Sequence, residues 1–410
     1  MSSEPWKTEQ WFVSPWNFAP EVMASLRFPD RILIHDVTLR DGAQQAGVVF
    51  TKDDKLRIAE KLAEAGVHRI EAGLPAISPQ DDAAIREIVR RNLGPQIFGF
   101  SRCMVEDVKR VVATGVTGVV MEIPSSKHII EKAYRWPLER AIQASIEATA
   151  YAHSQGLEVV FFPIDFTRAD LDWVLNLITR VATEGHMDAL GLVDTFGVTS
   201  PHAMPYFVRQ VRKRVDKRLE AHFHMDFGVG VANTIMALAE GVEVIHSTVL
   251  GIGERAGNTP LEETALALLT LYGIDLGIRY EKLYELAHLV SELAGHPVPS
   301  SHPVIGSGLF DIESGILASW WKSCRDADPT EVFPFLWNVV GGHPGRVVMG
   351  PGSGLDSVHL WLEELGLTAS DAQMTEILAK VKQFGYDHKR LLSYDDFQAI
   401  AAQVLGLEPA

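Results

Sequence analysis

Cysteine is nearly absent: Cys103 and Cys324 are the only 2 among 410 residues, and they stand far apart, in no metal-ligand spacing. That scarcity excludes a disulfide framework and a cysteine-based zinc module; it points to a reducing compartment and two buried thiols. Excess positive charge is missing as well. Against 37 Lys and Arg stand 53 Asp and Glu, a net charge of −16, which argues against a nucleic-acid backbone or an anionic bilayer as partner, because phosphate would be repelled. The densest basic run, RKRVDKR at 212–218, reads as the solvated end of a helix. No uninterrupted apolar run reaches the length of about 18 residues that a spanning helix needs. The opening MSSEPWKTEQWFVSPWNF lacks the basic-then-apolar order of a secretory leader, so the expected location is the cytoplasm. The glycine-rich GGHPGRVVMGPGSG at 341–354 lacks the lysine and spacing of a phosphate-binding loop, and reads as a cluster of turns.

What the sequence does contain is a repeating alternation. Runs rich in β-branched residues, at 31–39, 68–75, 96–102, 118–124, 157–165, 189–195, 220–226 and 242–251, are separated by stretches such as 52–66, 78–92 and 137–156. In those stretches apolar residues recur at spacings of three and four, with polar starts and terminal glycines, the pattern of amphipathic helices. Eight such units across roughly 240 residues match a (β/α)8 barrel, a TIM barrel of the α/β class. The doubly wound open sheet competes, but the first βα junction carries no dinucleotide fingerprint. After about residue 275 strands cease, and 280–295, 311–324, 355–366, 370–384 and 393–405 read as helices. The expected division is an aromatic-rich arm at 1–29, a catalytic barrel at 30–278 and C-terminal helical subdomains at 279–410. Trp6, Trp11, Phe12, Trp16, Phe18 and Phe28 crowd the arm; exposing them all would be costly, so the arm is expected to pack.

The stretch HFHMDFG at 222–228 carries the chemistry. In a strand, the period of two puts His222 and His224 on one face and Phe223 on the other. Barrel enzymes place their chemistry at the C-terminal strand ends. Polar residues fall there: Arg40 and Asp41 after the first strand, Thr195 after the sixth, Asn258 beyond the eighth. One carboxylate (Asp41), two imidazoles and one amide oxygen (Asn258) suit a divalent ion such as Mn2+, Zn2+, Mg2+, Co2+ or Fe2+, with positions left for substrate. Such an ion can hold a 2-oxo acid and polarise its ketone, while Arg40, fixed in charge, stabilises an enolate or oxyanion. Asp36, inside its strand, reads as a buried hydrogen-bonding carboxylate rather than a ligand. Glu71 and Glu122 lie at strand ends and reach either the pocket or a structural salt bridge.

Several blocks in sequence, HDVTLRDGAQQAGVVFTKDDKLRIAEKL, RIEAGLPAISPQD, LVDTFGVTSP, HFHMDFGVGVANT and GIGERAGNTPLEE, resemble the DRE-TIM metallolyase superfamily, specifically its 2-isopropylmalate, homocitrate and citramalate synthases. The resemblance implies a barrel, a domain-exchanged homodimer completed by C-terminal helices, and Claisen condensation of an acyl-CoA with a 2-oxo acid. It also implies Asp41, His222 and His224 as metal ligands, Asn258 as ligand or close neighbour, Arg40 as the catalytic arginine, and Gln44 and Thr195 as substrate contacts, with Glu71 added from its position. Three positions depart from the family's pattern. Ile164 stands in FFPIDFTR where these synthases carry a glutamate, Leu317 in SGIL where they carry a histidine, and Gly352 in GPGSG where a histidine is usual. Apolar replacements cannot transfer protons. Three readings follow: condensation with His246, His302, His343 or Asp165 moving the proton; cleavage of a hydroxy acid or its CoA ester by a lyase or aldolase; or a metal-binding regulator without turnover. Phe162, Ile164 and Phe166 are expected to make that side of the pocket apolar.

Overall fold

A computed structural model describes residues 4–407 of the chain. All eight expected strands form: β1 (Leu33–Asp36), β2 (Arg69–Glu71), β3 (Gln96–Arg102), β4 (Gly118–Pro124), β5 (Glu158–Ile164), β6 (Ala189–Asp194), β7 (Arg218–Phe223) and β8 (Val244–Ser247). They pair in parallel in chain order and β8 returns to β1, which closes the barrel. The strands are short and almost wholly buried, as parallel strands covered on both faces must be. Each is followed by a helix whose ends are written in the sequence. In Lys52–Ala65, Thr51 and Asp54 form a reciprocal cap at the start, and Gly66 closes the end at φ 85°, where a side chain would strain the backbone.

The barrel interior carries charge. At its N-terminal end Arg69 on β2 reaches across to Glu220 on β7 (2.9 Å) and Glu158 on β5 (2.8 Å), and Arg218 joins the same two carboxylates. Arg218, expected at a solvated helix end, is therefore half-buried in β7. Further up, His35 stacks on His246 with ring centres 4.4 Å apart. Asp36 is fully buried and accepts from both the backbone N–H and the hydroxyl of Thr38, each at 3.0 Å, which fits the hydrogen-bonding role read from its position. Burial pushes its pKa from 3.8 up to about 7 against those two bonds. The native state thus holds a proton there that the unfolded chain releases above about pH 4, so this group's contribution is greatest below that pH and is lost as pH rises towards 7. Asp36→Asn is expected to flatten the fall in melting temperature between pH 4 and 7; an unchanged slope would exclude Asp36 as its source.

Two compact units emerge: 16–298, which holds the barrel, and the described residues of 1–15 with 299–410. The helix Leu283–Ala294 lies in the barrel unit, beyond the expected boundary at 278. The arm also divides. Trp11 bridges to Phe335 and Phe12 donates its N–H to Pro334 in the second unit, whereas Trp16 belongs to the barrel unit and is 81% exposed. The five expected C-terminal helices correspond to Leu283–Ala294, Gly315–Cys324, Leu355–Glu364, Asp371–His388 and Tyr394–Leu405. In the second unit Phe310, Trp321, Phe333 and Trp337 pack edge to face around a two-stranded ribbon, Asp311–Ile312 with Arg346–Val347. The 341–354 stretch, expected as a cluster of turns, carries the ribbon's second strand with turns on either side, and the Gly352 N–H donates to Glu313. Cys103 is buried, which pushes its thiol up to about 12, but Cys324 is partly exposed, contrary to expectation. Among the described residues no helix is long and apolar enough to cross a membrane.

Candidate metal centre

β7 ends at Phe223, yet the chain stays extended through His224, which pairs antiparallel with Asn258. Met225 and Thr259 tie the same two segments together through backbone bonds to Gly257 and Phe223. That pairing delivers His222, His224 and Asn258 to one spot, and the turn after β1 adds Asp41. The donor atoms of Asp41, His222 and His224 lie within 4.8 Å of one another, and all three residues are buried. Asn258 donates its amide to Asp41 Oδ1 (2.8 Å) and to the Ile252 carbonyl (3.1 Å). Those two acceptors identify the nitrogen end of the amide, so Asn258 orients Asp41 through its nitrogen while its Oδ1 has no hydrogen-bond partner.

The residues fit a cation. His222 Nδ1, His224 Nδ1 and Asn258 Oδ1 are buried with no hydrogen-bond partner, a cost that proteins rarely carry without a ligand to offset it. Burial lowers the pKa of both imidazoles, with further lowering at His222 from the neighbouring imidazole of His224. Neutral rings keep a lone pair to offer.

Gly253 lets the loop after β8 close on this group. A Cβ there would sit 2.2 Å from Asn258 Nδ2 and 2.9 Å from Asp41 Oδ1, at a φ of 157°. Gly253→Ala is expected to push Asn258 off Asp41 and to weaken metal affinity by about 10–100-fold, the usual penalty for disturbing a group that orients a ligand. Titration with a divalent ion checks it, and unchanged affinity would show that the loop yields freely.

Beside the triad, Arg40 is gripped from several directions. Its Nη1 donates to Asp41 Oδ2 (2.6 Å) and Gln44 Oε1 (3.3 Å), its Nε donates to Glu71, and its guanidinium lies 4.1 Å over the Phe100 ring. Its Nη2 is buried and unpartnered, a donor held in reserve. Glu71, expected as a substrate contact, is instead fully buried with one oxygen on Arg40 and the other 3.2 Å from His35 Nε2. Burial alone would raise Glu71, but Arg40 and His35 outweigh it and hold the group at about 2. Glu71 therefore positions Arg40. Gln44 is exposed, and its Oε1 is turned back onto Arg40. Thr195 accepts from the Asp165 N–H (2.7 Å) through its hydroxyl, which leaves its own proton to donate.

The other candidates are placed elsewhere. His246 bonds Glu220 (2.8 Å) inside the barrel; His302 and His343 lie in the second unit. Asp165 is engaged by Ser126 (2.5 Å), His128 (3.1 Å) and Arg168 (2.5 Å). Phe162 meets expectation, its ring 4.9 Å from His222. Phe166 does not: it turns outwards onto Phe207 (4.9 Å) in the helix layer. Sequence reasoning missed His35 and Gly253. A histidine in an otherwise apolar strand was the one available signal for the first; nothing marked the second among so many glycines.

The HMGL-like family model matches residues 31–290. Homocitrate synthase AksA of Methanothermobacter thermautotrophicus is 37% identical over 374 residues, 91% of this chain and 93% of that protein. Homocitrate synthase AksA of Methanopyrus kandleri is 36% identical over 392 residues, covering 95% and 96%. Among solved structures, the HMG-CoA lyase of Bacillus subtilis aligns with a TM-score of 0.60 at 21% identity, over 67% of this chain and 98% of that one. That likeness is one of fold.

Proposed function

Because the chain belongs to the HMGL-like family, we propose that it is a divalent-metal-dependent acyltransferase that condenses an acyl-CoA with a 2-oxo acid, in the manner of the 2-isopropylmalate, homocitrate and citramalate synthases. The observation that carries this is the buried group Asp41, His222 and His224 beside a guanidinium with a free donor. We assign Asp41, His222 and His224 as ligands, with Asn258 orienting Asp41, and Mn2+, Zn2+, Mg2+ or Co2+ as the ion. When bound, the ion supplies Lewis-acid polarisation of the ketone and charge stabilisation.

The chain's own residues do the rest. Arg40 turns its unpartnered Nη2 towards the oxygen on which negative charge develops, and it moves little because Glu71, Asp41 and Phe100 already hold it. Gln44 and Thr195 contact the oxo acid. Phe100 and Phe162, whose rings meet edge to face at 5.9 Å, keep water from the carbanion side. The active form we propose is a cytoplasmic homodimer whose C-terminal helices complete the neighbour's site. In support, the helix Gly315–Cys324 exposes Ile316 (68%) and Trp320 (54%), a face that a second copy would cover.

The test is a screen of acetyl-CoA with pyruvate, 2-oxoisovalerate and 2-oxoglutarate, followed by thiol release, with and without chelator. Chelator-sensitive release supports condensation. Cleavage is the second reading, favoured by the apolar Ile164 and Leu317. Release of pyruvate from a hydroxy-oxo acid without CoA would support it, and a metal-loaded protein inert in both assays would leave a regulator.

A further inference from the structure

Glu122 lies two residues before the end of β4, on its inner face. In register it stands between Arg102 on β3 and Phe162 on β5, and residues in register on parallel strands project to the same side of the sheet. Phe162 packs its ring on His222, so the Glu122 carboxyl enters the chamber beside the triad. The two nearest cations are committed elsewhere: Arg102 Nε to Asp107 (2.6 Å), and Arg40 to Glu71, Asp41 and Gln44. The Glu122 backbone carbonyl accepts from the Cys103 N–H (2.8 Å), but its side-chain carboxyl makes no hydrogen bond or ion pair among the described residues. The contrast with Glu71 is instructive. Both glutamates lie in barrel strands; one is consumed by a structural pair, whereas the other is mostly buried and its carboxyl is unpaired. A carboxylate kept in that state costs stability, which the more distant Arg40 and Arg102 offset without bonding to it.

We infer that Glu122 is the proton-transfer group of the condensation, a carboxylate supplied by β4 where β5 carries Ile164 in the position of the family's glutamate. The inference rests on the condensation reading above. Glu122 takes a proton from the carbon next to the thioester carbonyl, and the C–H pair becomes the enolate double bond. The enolate carbon bonds to the ketone carbon of the oxo acid, and the ketone's π pair moves onto oxygen. Glu122 returns its proton to that oxygen, which gives the product hydroxyl and restores the carboxylate. Water then adds to the thioester carbonyl, and CoA leaves as its thiol carrying one of the water's protons. Burial raises Glu122 above its ordinary range, against the pull of Arg40 and Arg102, and a raised carboxylate is the better base for this task. The charged and titratable groups around it are Arg40 and Asp41 after β1, Arg102 and Cys103 at the end of β3, Tyr134 ahead of the following helix, and Glu254 after β8.

The experiment uses full-length protein loaded with Mn2+, acetyl-CoA with the three oxo acids, thiol release across pH, and deuterium wash-in to the acetyl methyl group from D2O. Glu122→Gln is expected to lower kcat by roughly 10³-fold and abolish wash-in, to erase the acid limb of the kcat profile, and to keep KM for the oxo acid within about threefold and metal content unchanged. Glu122→Asp is expected to regain at least about tenfold over the glutamine variant. If wild-type protein condenses and Glu122→Gln keeps pace, or loses only KM, the inference falls and the condensation reading stands. If wild-type protein releases no CoA with any oxo acid, both fall. Should Glu122→Gln lose its metal or its fold, Glu122→Asp decides: lowered kcat with the acid limb retained supports the role, and wild-type kcat with no acid limb overturns it.

Discussion

His222→Ala is expected to leave the dialysed protein with background metal and to lower condensation by on the order of 10³-fold or more, the several kcal/mol that a bound ion contributes to charge stabilisation. The ring is central to the group: His222 Nε2 lies 3.6 Å from Asp41 Oδ2, and the imidazole packs on Phe162 and lies 5.3 Å from His224 between ring centres. Alanine removes a ligand and opens a void among these rings, so the melting temperature falls as well. His222→Gln separates the two effects, because it fills more of the space while lacking the imidazole's directed nitrogen. Elemental analysis of both variants is the measurement. Full occupancy in either would remove the ligand assignment, whatever the activity.

Arg40→Lys is expected to cost roughly 10³-fold in kcat although charge is conserved, a loss of the size seen when one preorganised donor to a developing oxyanion is removed. A guanidinium serves Glu71, Asp41, Gln44 and the oxyanion at once because its donors are fixed in a plane. An ammonium has three donors and no flat face for Phe100. With lysine, Glu71 is left buried with one oxygen unpaired, so some stability is lost too. A kcat fall with KM for the oxo acid nearly unchanged would place the effect in the transition state. Equal activity in the two proteins would show that only charge matters at this position.

The fold could be read from the sequence because each barrel unit repeats a strong local signal, and residues such as Thr51 and Gly66 mark helix ends by chemistry that needs no tertiary context. The triad was legible for a related reason: strand periodicity places His222 and His224 together, and barrel topology brings strand ends to one rim. Neighbour-dependent facts were not legible. Glu71 and Glu122 are the same residue type on the inner faces of two barrel strands, and the direction of the Arg40 side chain, which the sequence does not show, decides that Glu71 is the one consumed. Phe166 was misplaced because the strand ends at Ile164 and Asp165 turns at φ 62°, which breaks the alternation used to assign its face. The division of the aromatic arm at Pro15 rests on long-range pairing with Phe335, for which the local sequence holds no signal.

The rod of paired charges inside the barrel bears on redesign. From Arg40 through Glu71 and His35 to the His246 stack, Glu220 and Arg69, each side chain is fixed by the one before it. Substitutions in this column are expected to lower the melting temperature, because each leaves a buried partner unpaired. Altering substrate range is better sought at Ile164 than at Phe100 or Phe162, because Phe100 carries the Arg40 guanidinium on its face and Phe162 stacks on His246, both members of the column.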